Sequence, residues 1–176
     1  MKDVHAVEAL PMRTQPVRLT FQQAAERHLD DVYRYLLVFT RDPSLAEDLA
    51  AETFERALRA WRRFDPRRAS ARTWLCTIAR SVALDHFRAE RRRVRREHAV
   101  AEPAGLVELP DLGLSPALER ALASLSAADR EVIALRVVLE LEPEAASRLL
   151  GCSTTACTTR LSRALKRLEE LMTDDE

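Results

Sequence analysis

Apolar residues recur at intervals of three and four along most of the chain, the spacing of one face of an α-helix. From Thr20 onward, Phe21, Ala25, Leu29, Val32, Leu36 and Phe39 trace one such stripe. Thr20 and Gln23 stand in front of it at capping-box spacing, so that each side chain can satisfy the other's backbone N–H. Asp42 followed by Pro43 opens a second helix, as an N-cap with proline at the first helical position. Its stripe is Leu45, Leu49, Thr53, Ala57 and Trp61, widened by Phe54 and Leu58, and Phe64-Asp65-Pro66 stops it. Ser70 can cap a third helix whose inward face is Trp74, Leu75, Ile78, Val82 and Phe87. Three helices with short connections can bury one core, which predicts a helical bundle over 20–96 with Trp74 inside it.

The periodicity is lost from Ala99 to Ser115, where Pro103, Gly105, Pro110 and Gly113 fall. An acidic, flexible linker over 97–114 is expected there. Helical patterning resumes at Ser115-Pro116 with Leu118, Leu122 and Leu125. Ser126 to Asp129 caps a helix with Val132, Ile133, Leu135 and Val137 inward, and Pro143 to Leu150 forms a short one ended by Gly151. Ser153 caps a last helix with Cys157, Leu161, Ala164, Leu165, Leu168 and Met172 inward. This predicts a second domain over 115–173. Residues 1–19 read as a loose tail and 174–176 as an acidic one.

Composition narrows the class. Among 176 residues there are three glycines and 5% aromatics, too few of either for a sheet protein. The fold class expected is all-α, in two small helical domains. No run of eighteen apolar residues predicts a membrane span, and the N-terminus shows no secretory signal. Three scattered cysteines make no disulfide framework, so a reducing, cytoplasmic setting is expected.

Charge changes the picture most. The chain carries 28 basic and 28 acidic residues, but they are segregated. Phe21 to Glu55 holds 3 basic against 8 acidic, Arg56 to Arg96 holds 14 against 3, and Glu97 to Asp129 holds 1 against 6. Arg160, Arg163, Lys166 and Arg167 then follow with no acid between Ser153 and Leu168. Two basic helices separated by an acidic stretch suit a polyanion held at two places. The second of them follows a short helix and the turn Leu150-Gly151-Cys152-Ser153, the pattern of a helix-turn-helix whose second helix enters the DNA major groove. Thr155, Thr158, Thr159, Ser162, Arg163 and Lys166 fall on its outward face. Hydroxyls and methyls there can read base edges, and cations can hold guanine or phosphate.

At this point the chain resembles a family. Asp42 to Phe54, Ala60-Trp-Arg-Arg-Phe-Asp-Pro66, Arg72 to Arg80 and Ala83 to Arg88 look like region 2 of bacterial sigma factors of the extracytoplasmic-function group. Leu125 to Val132, Leu150 to Ser153 and Thr159 to Leu165 look like their region 4. The resemblance implies a factor that binds core RNA polymerase and directs it to promoter DNA, and it leaves room for an anti-sigma factor as a further partner. It implies that the acidic face Glu47, Asp48, Glu52 and Glu55 meets polymerase. It implies also that the third helix and the loop before it open the minus-ten region and capture a non-template base. Arg67, Arg68, Arg80, Arg88 and Arg91 can neutralise the separated strand, and Ser70 and Ser81 can line the base pocket. Where relatives carry a base at Thr158 this chain has a hydroxyl, so minus-thirty-five contact is expected to lean less on charge.

No catalytic constellation is visible. His5, His28, His86 and His98 have no zinc spacing with the cysteines, and no phosphate-cradling glycine loop is present, so no metal, no cofactor and no enzyme activity are expected. The rival reading is a one-component helix-turn-helix regulator, which would need a ligand or dimerisation unit on the N-terminal side.

Overall fold

The computed structural model describes residues 19–97 and 114–173. The expected N-terminal tail, nearly all of the acidic linker and the last three residues lie outside that range. Among the described residues every regular element is helical. They are α1 (Phe21–Thr40), α2 (Pro43–Ala60), a 3-10 turn (Trp61–Arg63), α3 (Ala71–Glu97), α4 (Pro116–Ser124), α5 (Ala127–Ile133), a π turn (Ala134–Val138), α6 (Pro143–Leu150) and α7 (Thr154–Thr173).

The helix starts follow from local chemistry. Thr20 and Gln23 form the reciprocal capping box, and the Leu45 N–H donates to Asp42 Oδ1 at 3.0 Å. The N–H groups of Thr73, Leu118, Asp129 and Ala156 donate to the hydroxyls of Ser70, Ser115, Ser126 and Ser153. Each such cap satisfies a donor that helix geometry leaves without a partner. The chain leaves α1 through Arg41 in the left-handed region at φ 61°, where no glycine signalled a turn.

The three long helices α1, α2 and α3 pack against one another, and α7 lies across α4, α5 and α6. Val32, Tyr35, Leu36, Ala57, Leu75, Cys76, Ala79 and Val82 are sealed in the first unit. Val132, Leu135, Leu139, Ala146 and Cys157 are sealed in the second. The two units are not separate bodies. α1 packs on α5 and the π turn, α3 touches α6, and the buried apolar core runs through both.

Several stripe positions turn out to be exposed. Leu58 is 58% exposed. At 3.6 residues per turn it falls between Glu47 and Glu55, opposite the buried line Leu49, Thr53 and Ala57. Leu29 lies at the rim of the buried arc of α1 and is also exposed. Val137 is exposed because the π turn, closed by Leu139 N–H on Ala134 O at 2.9 Å, breaks the period that placed it inward. Leu165 and Met172 edge α7 beyond its contact line and are partly exposed. Trp74 is half-buried, in an aromatic cluster with Trp61 and Phe64 at centroid distances of 5.6 and 5.4 Å.

Candidate nucleic-acid and polymerase interface

The acidic face of α2 forms because its apolar residues are all drawn to the other side. Glu47, Asp48 and Glu55 are exposed and Glu52 is half-exposed. The four are not equivalent. Glu52 accepts from Arg56 at 2.5 Å, and Glu55 accepts from Arg59 one turn on. Arg56 also donates to Asp85 of α3 at 3.1 Å, so Glu52 belongs to a bridge between helices. Asp85 first and Glu52 second hold the Arg56 guanidinium more firmly protonated than usual. Glu47 and Asp48 make no ion pair with any described residue, which leaves them the two acids open to an outside cation.

The loop 64–70 and α3 carry the basic block. The loop is seated on the aromatic cluster, where Phe64 stacks on Trp61 at 4.7 Å and leans on Trp74. Arg67 and Arg68 are exposed on it, and the Arg67 N–H donates to Asp65 Oδ1 at 2.9 Å. Arg80, Ser81, Arg88 and Arg91 occupy one arc of α3, opposite buried Leu75, Ala79 and Val82. Ser81 and Arg91 are exposed, and Arg88 touches Asp85 at 3.4 Å with most of its side chain in solvent. Ser70 is engaged as the cap of α3, and its hydroxyl also meets Thr73 Oγ1 at 2.9 Å. Arg80 departs from expectation. Its Nε donates at 2.7 Å to Glu131, a residue of α5 in the second unit.

In α7 the outward face is as the spacing predicts. Thr155, Thr158, Thr159, Ser162, Arg163 and Lys166 are all exposed, while Cys157 and Ala164 are buried beneath them. Burial raises the Cys157 thiol above its ordinary range, and Cys76 is pushed up to about 12 by the same cause. Both therefore pack as small apolar groups. The Thr158 hydroxyl donates to Thr154 O at 3.0 Å, so toward a partner it can only accept or offer its methyl. Lys166 lies 3.8 Å from Glu170, a loose surface pair. α6 reaches α7 through Gly151 at φ 67°, and a Cβ there would meet nothing within 4 Å. Gly151→Ala is therefore expected to cost only the conformational strain, about 1 kcal/mol. Urea titration checks this, and a loss several times larger would show that the turn carries a packing role too.

Among the described residues no group of His, Cys, Asp and Glu could hold a metal ion, and no helix is long and apolar enough to cross a membrane. Residues 24–93 match Sigma-70 region 2, and residues 115–168 match Sigma-70, region 4. The chain belongs to the ECF RNA polymerase sigma factors. It is 30% identical to the ECF RNA polymerase sigma factor SigM of Bacillus subtilis over 162 residues, covering 87% of this chain and 95% of SigM. It is 36% identical to the ECF RNA polymerase sigma factor SigC of Mycobacterium tuberculosis over 138 residues, 76% of this chain and 73% of SigC. Its fold superposes on that of the co-crystal structure of the sigma factor RpoE with the anti-sigma factor NepR from Bartonella quintana. The TM-score is 0.75 at 27% identity, over 89% of this chain and 98% of that one. The structure of CnrH in complex with the cytosolic domain of CnrY gives 0.65 at 25% identity, over 89% of each chain.

As a sigma factor, the chain directs transcription initiation. A one-component regulator is not favoured, because region 2 occupies the stretch where its ligand unit would stand. Sequence reasoning missed Glu131 and Tyr35, which meet across the two regions. A signal was present: Glu131 lies one turn before Leu135 on the apolar stripe of its helix, and Tyr35 lies on that of α1 between Val32 and Phe39.

Proposed function

We propose that region 2, over 20–96, takes the minus-ten element and core RNA polymerase, and that region 4, over 115–173, takes the minus-thirty-five element. The observation that carries this is the separation of charge by element. α2 turns unpaired Glu47 and Asp48 outward, whereas α3 and α7 turn arginines, hydroxyls and one lysine outward. An acidic face suits the arginines and lysines of a protein partner, and basic faces suit phosphate.

Each region then has a distinct task. Glu47 and Asp48 contact polymerase, with Glu52 and Glu55 at the margin of that contact. Arg67, Arg68, Arg80, Arg88 and Arg91 neutralise the separated minus-ten strand, while Ser70 and Ser81 line the space for an unstacked base. Thr155, Thr158, Thr159, Ser162, Arg163 and Lys166 read and hold minus-thirty-five DNA. The chain performs no catalysis itself and acts inside the cell, where polymerase is. An anti-sigma factor is a further partner, a reading supported by likeness to an RpoE structure that contains one. The stretch 97–114 joins the two regions in the chain and is acidic.

Run-off transcription tests the reading. Core polymerase with the purified chain is expected to give discrete transcripts from a genomic promoter library where core alone gives none. No transcript from any promoter would refute the assignment.

A further inference from the structure

Two of the three cysteines meet at the turn between α6 and α7. Cys152 follows Gly151 and is half-buried, and Cys157, on the second turn of α7, is sealed in the core. Their closeness has a backbone cause. α6 ends with Cys152 N–H on Ser147 O at 3.0 Å and Gly151 N–H on Arg148 O at 3.3 Å, the paired bonds of a Schellman motif. Ser153 then caps α7, its hydroxyl accepting from Ala156 N–H at 3.1 Å and its carbonyl from Cys157 N–H at 2.9 Å. Cys152 is thus the residue before the cap, and Cys157 is the fourth of the helix. A hydrophobic staple brings those two positions together across a helix start. Here both carry thiols, packed in one apolar cluster and within hydrogen-bonding reach of each other.

The two thiols are not equivalent. Cys152 is open in part to solvent and Cys157 is not. Burial first and the Cys152 thiol second hold Cys157 above its ordinary range, while Arg136 and Arg160 act in the opposite sense. Cys157 therefore rests as a neutral thiol, beside cations that favour its thiolate once there is something to attack. Such a pair suits a small peroxide. The Cys152 sulfur takes one oxygen from hydrogen peroxide and becomes a sulfenic acid, and one water leaves. The Cys157 sulfur then attacks the Cys152 sulfur, the S–O bond breaks, and the hydroxyl departs with the Cys157 proton as a second water. Two thiols lose two electrons, one peroxide gains them, and a dithiol reductant reverses the change by exchange.

We propose that Cys152 and Cys157 are a modification site, forming a reversible disulfide with peroxide in the turn that presents α7 to DNA. In a reducing compartment such a bond is transient, as a signal must be. Its effect on DNA rests on the minus-thirty-five reading of α7 given above. Sulfurs in hydrogen-bonding contact must still approach to bond. The Schellman bonds hold Cys152 to α6 and Cys157 is part of α7, so the approach shifts the start of α7 against α6. Thr155, Thr158 and Thr159 lie on that stretch. Hydrogen bonds to base edges span only about 2.7 to 3.2 Å, and a shift of the helix breaks them. Oxidation therefore weakens minus-thirty-five reading.

The test uses the full folded chain, treated with hydrogen peroxide in the presence of glutathione. Trypsin cuts after Arg148 and Arg160 and releases 149–160, which holds both cysteines, while Cys76 falls in another peptide. Mass spectrometry is expected to find 149–160 lighter by its two thiol hydrogens, and restored by dithiothreitol. Cys157→Ala should leave Cys152 to take up glutathione instead, and Cys152→Ser should leave the peptide unoxidised. Circular dichroism confirms that both variants keep their helices. Run-off transcription from promoters with a minus-thirty-five element is expected to fall about tenfold on oxidation, the cost of one or two base contacts. Cys152→Ser treated in the same way should keep its transcription. Native chain with glutathione on Cys152 and Cys157 still reduced would overturn the pairing. A disulfide that forms and leaves run-off unchanged would overturn its effect on DNA reading. Failure of the reduced native chain to give transcripts would remove the sigma reading, while the 149–160 peptide would still decide whether the two thiols pair.

Discussion

Glu47→Lys combined with Asp48→Lys is expected to abolish binding to core RNA polymerase, by about a hundredfold or more, and run-off transcription with it. The two acids are exposed on the side of α2 away from the core and make no ion pair with described residues. Their whole electrostatic value is thus available to a partner. Reversing a charge that faces an opposite one leaves the partner's charge unpaired, which costs roughly 2–5 kcal/mol at a desolvated contact. The fold should be indifferent, since a surface change away from caps and core alters stability by about 0.5 kcal/mol or less. Glu52 and Glu55 make a useful contrast. Each already has an arginine one turn away, and Glu52→Lys would also disturb the Arg56–Asp85 bridge between α2 and α3. Core-binding titrations with unfolding curves alongside check the prediction. A double mutant that binds core normally would move the polymerase contact off this face.

Arg88→Ala with Arg91→Ala is expected to weaken open-complex formation on every promoter and to flatten its salt dependence. Each single-strand phosphate no longer neutralised lowers the slope of log K against log salt by about 0.7, so the pair should lower it by about 1.4. The weak Arg88–Asp85 contact at 3.4 Å does not alter this, because a solvent-exposed pair of that kind is worth little and gives way to phosphate. Thr158→Ala with Thr159→Ala should behave differently. Neither side chain is charged, so the slope stays. Preference at a few minus-thirty-five positions relaxes instead, by roughly 1–3 kcal/mol for each base edge no longer read. Thr159 should carry the larger share, because the Thr158 hydroxyl already donates to Thr154 O. A threonine mutant that shifts the salt slope and keeps its minus-thirty-five preference would contradict this division of work.

Helix positions were legible in the sequence because their causes are local. A capping side chain, a proline at the first turn and an apolar stripe act within a few residues, and Thr20, Asp42, Ser70, Ser115, Ser126 and Ser153 all cap helices that begin where expected. The basic face of α7 was legible for the same reason, since Cys157 and Ala164 must be buried once the helix forms. Leu58 and Val137 were misplaced because a stripe has a width that only its neighbours define. In α2 the bundle needed only a narrow arc, and in the second unit a π turn altered the period itself.

The sequence by itself thus determined an all-helical chain, its two sigma-like regions and the sign of charge each helix turns outward. Only the tertiary structure decided which charges are spent inside the molecule. Glu131 pairs with residues 96 and 51 positions earlier in the chain, and Glu52 shares Arg56 with Asp85 of another helix. Periodicity marks Glu131 and Tyr35 as inward but not which residues they meet, because that depends on how rigid helices come to rest against one another rather than on the dihedral preferences of neighbouring residues.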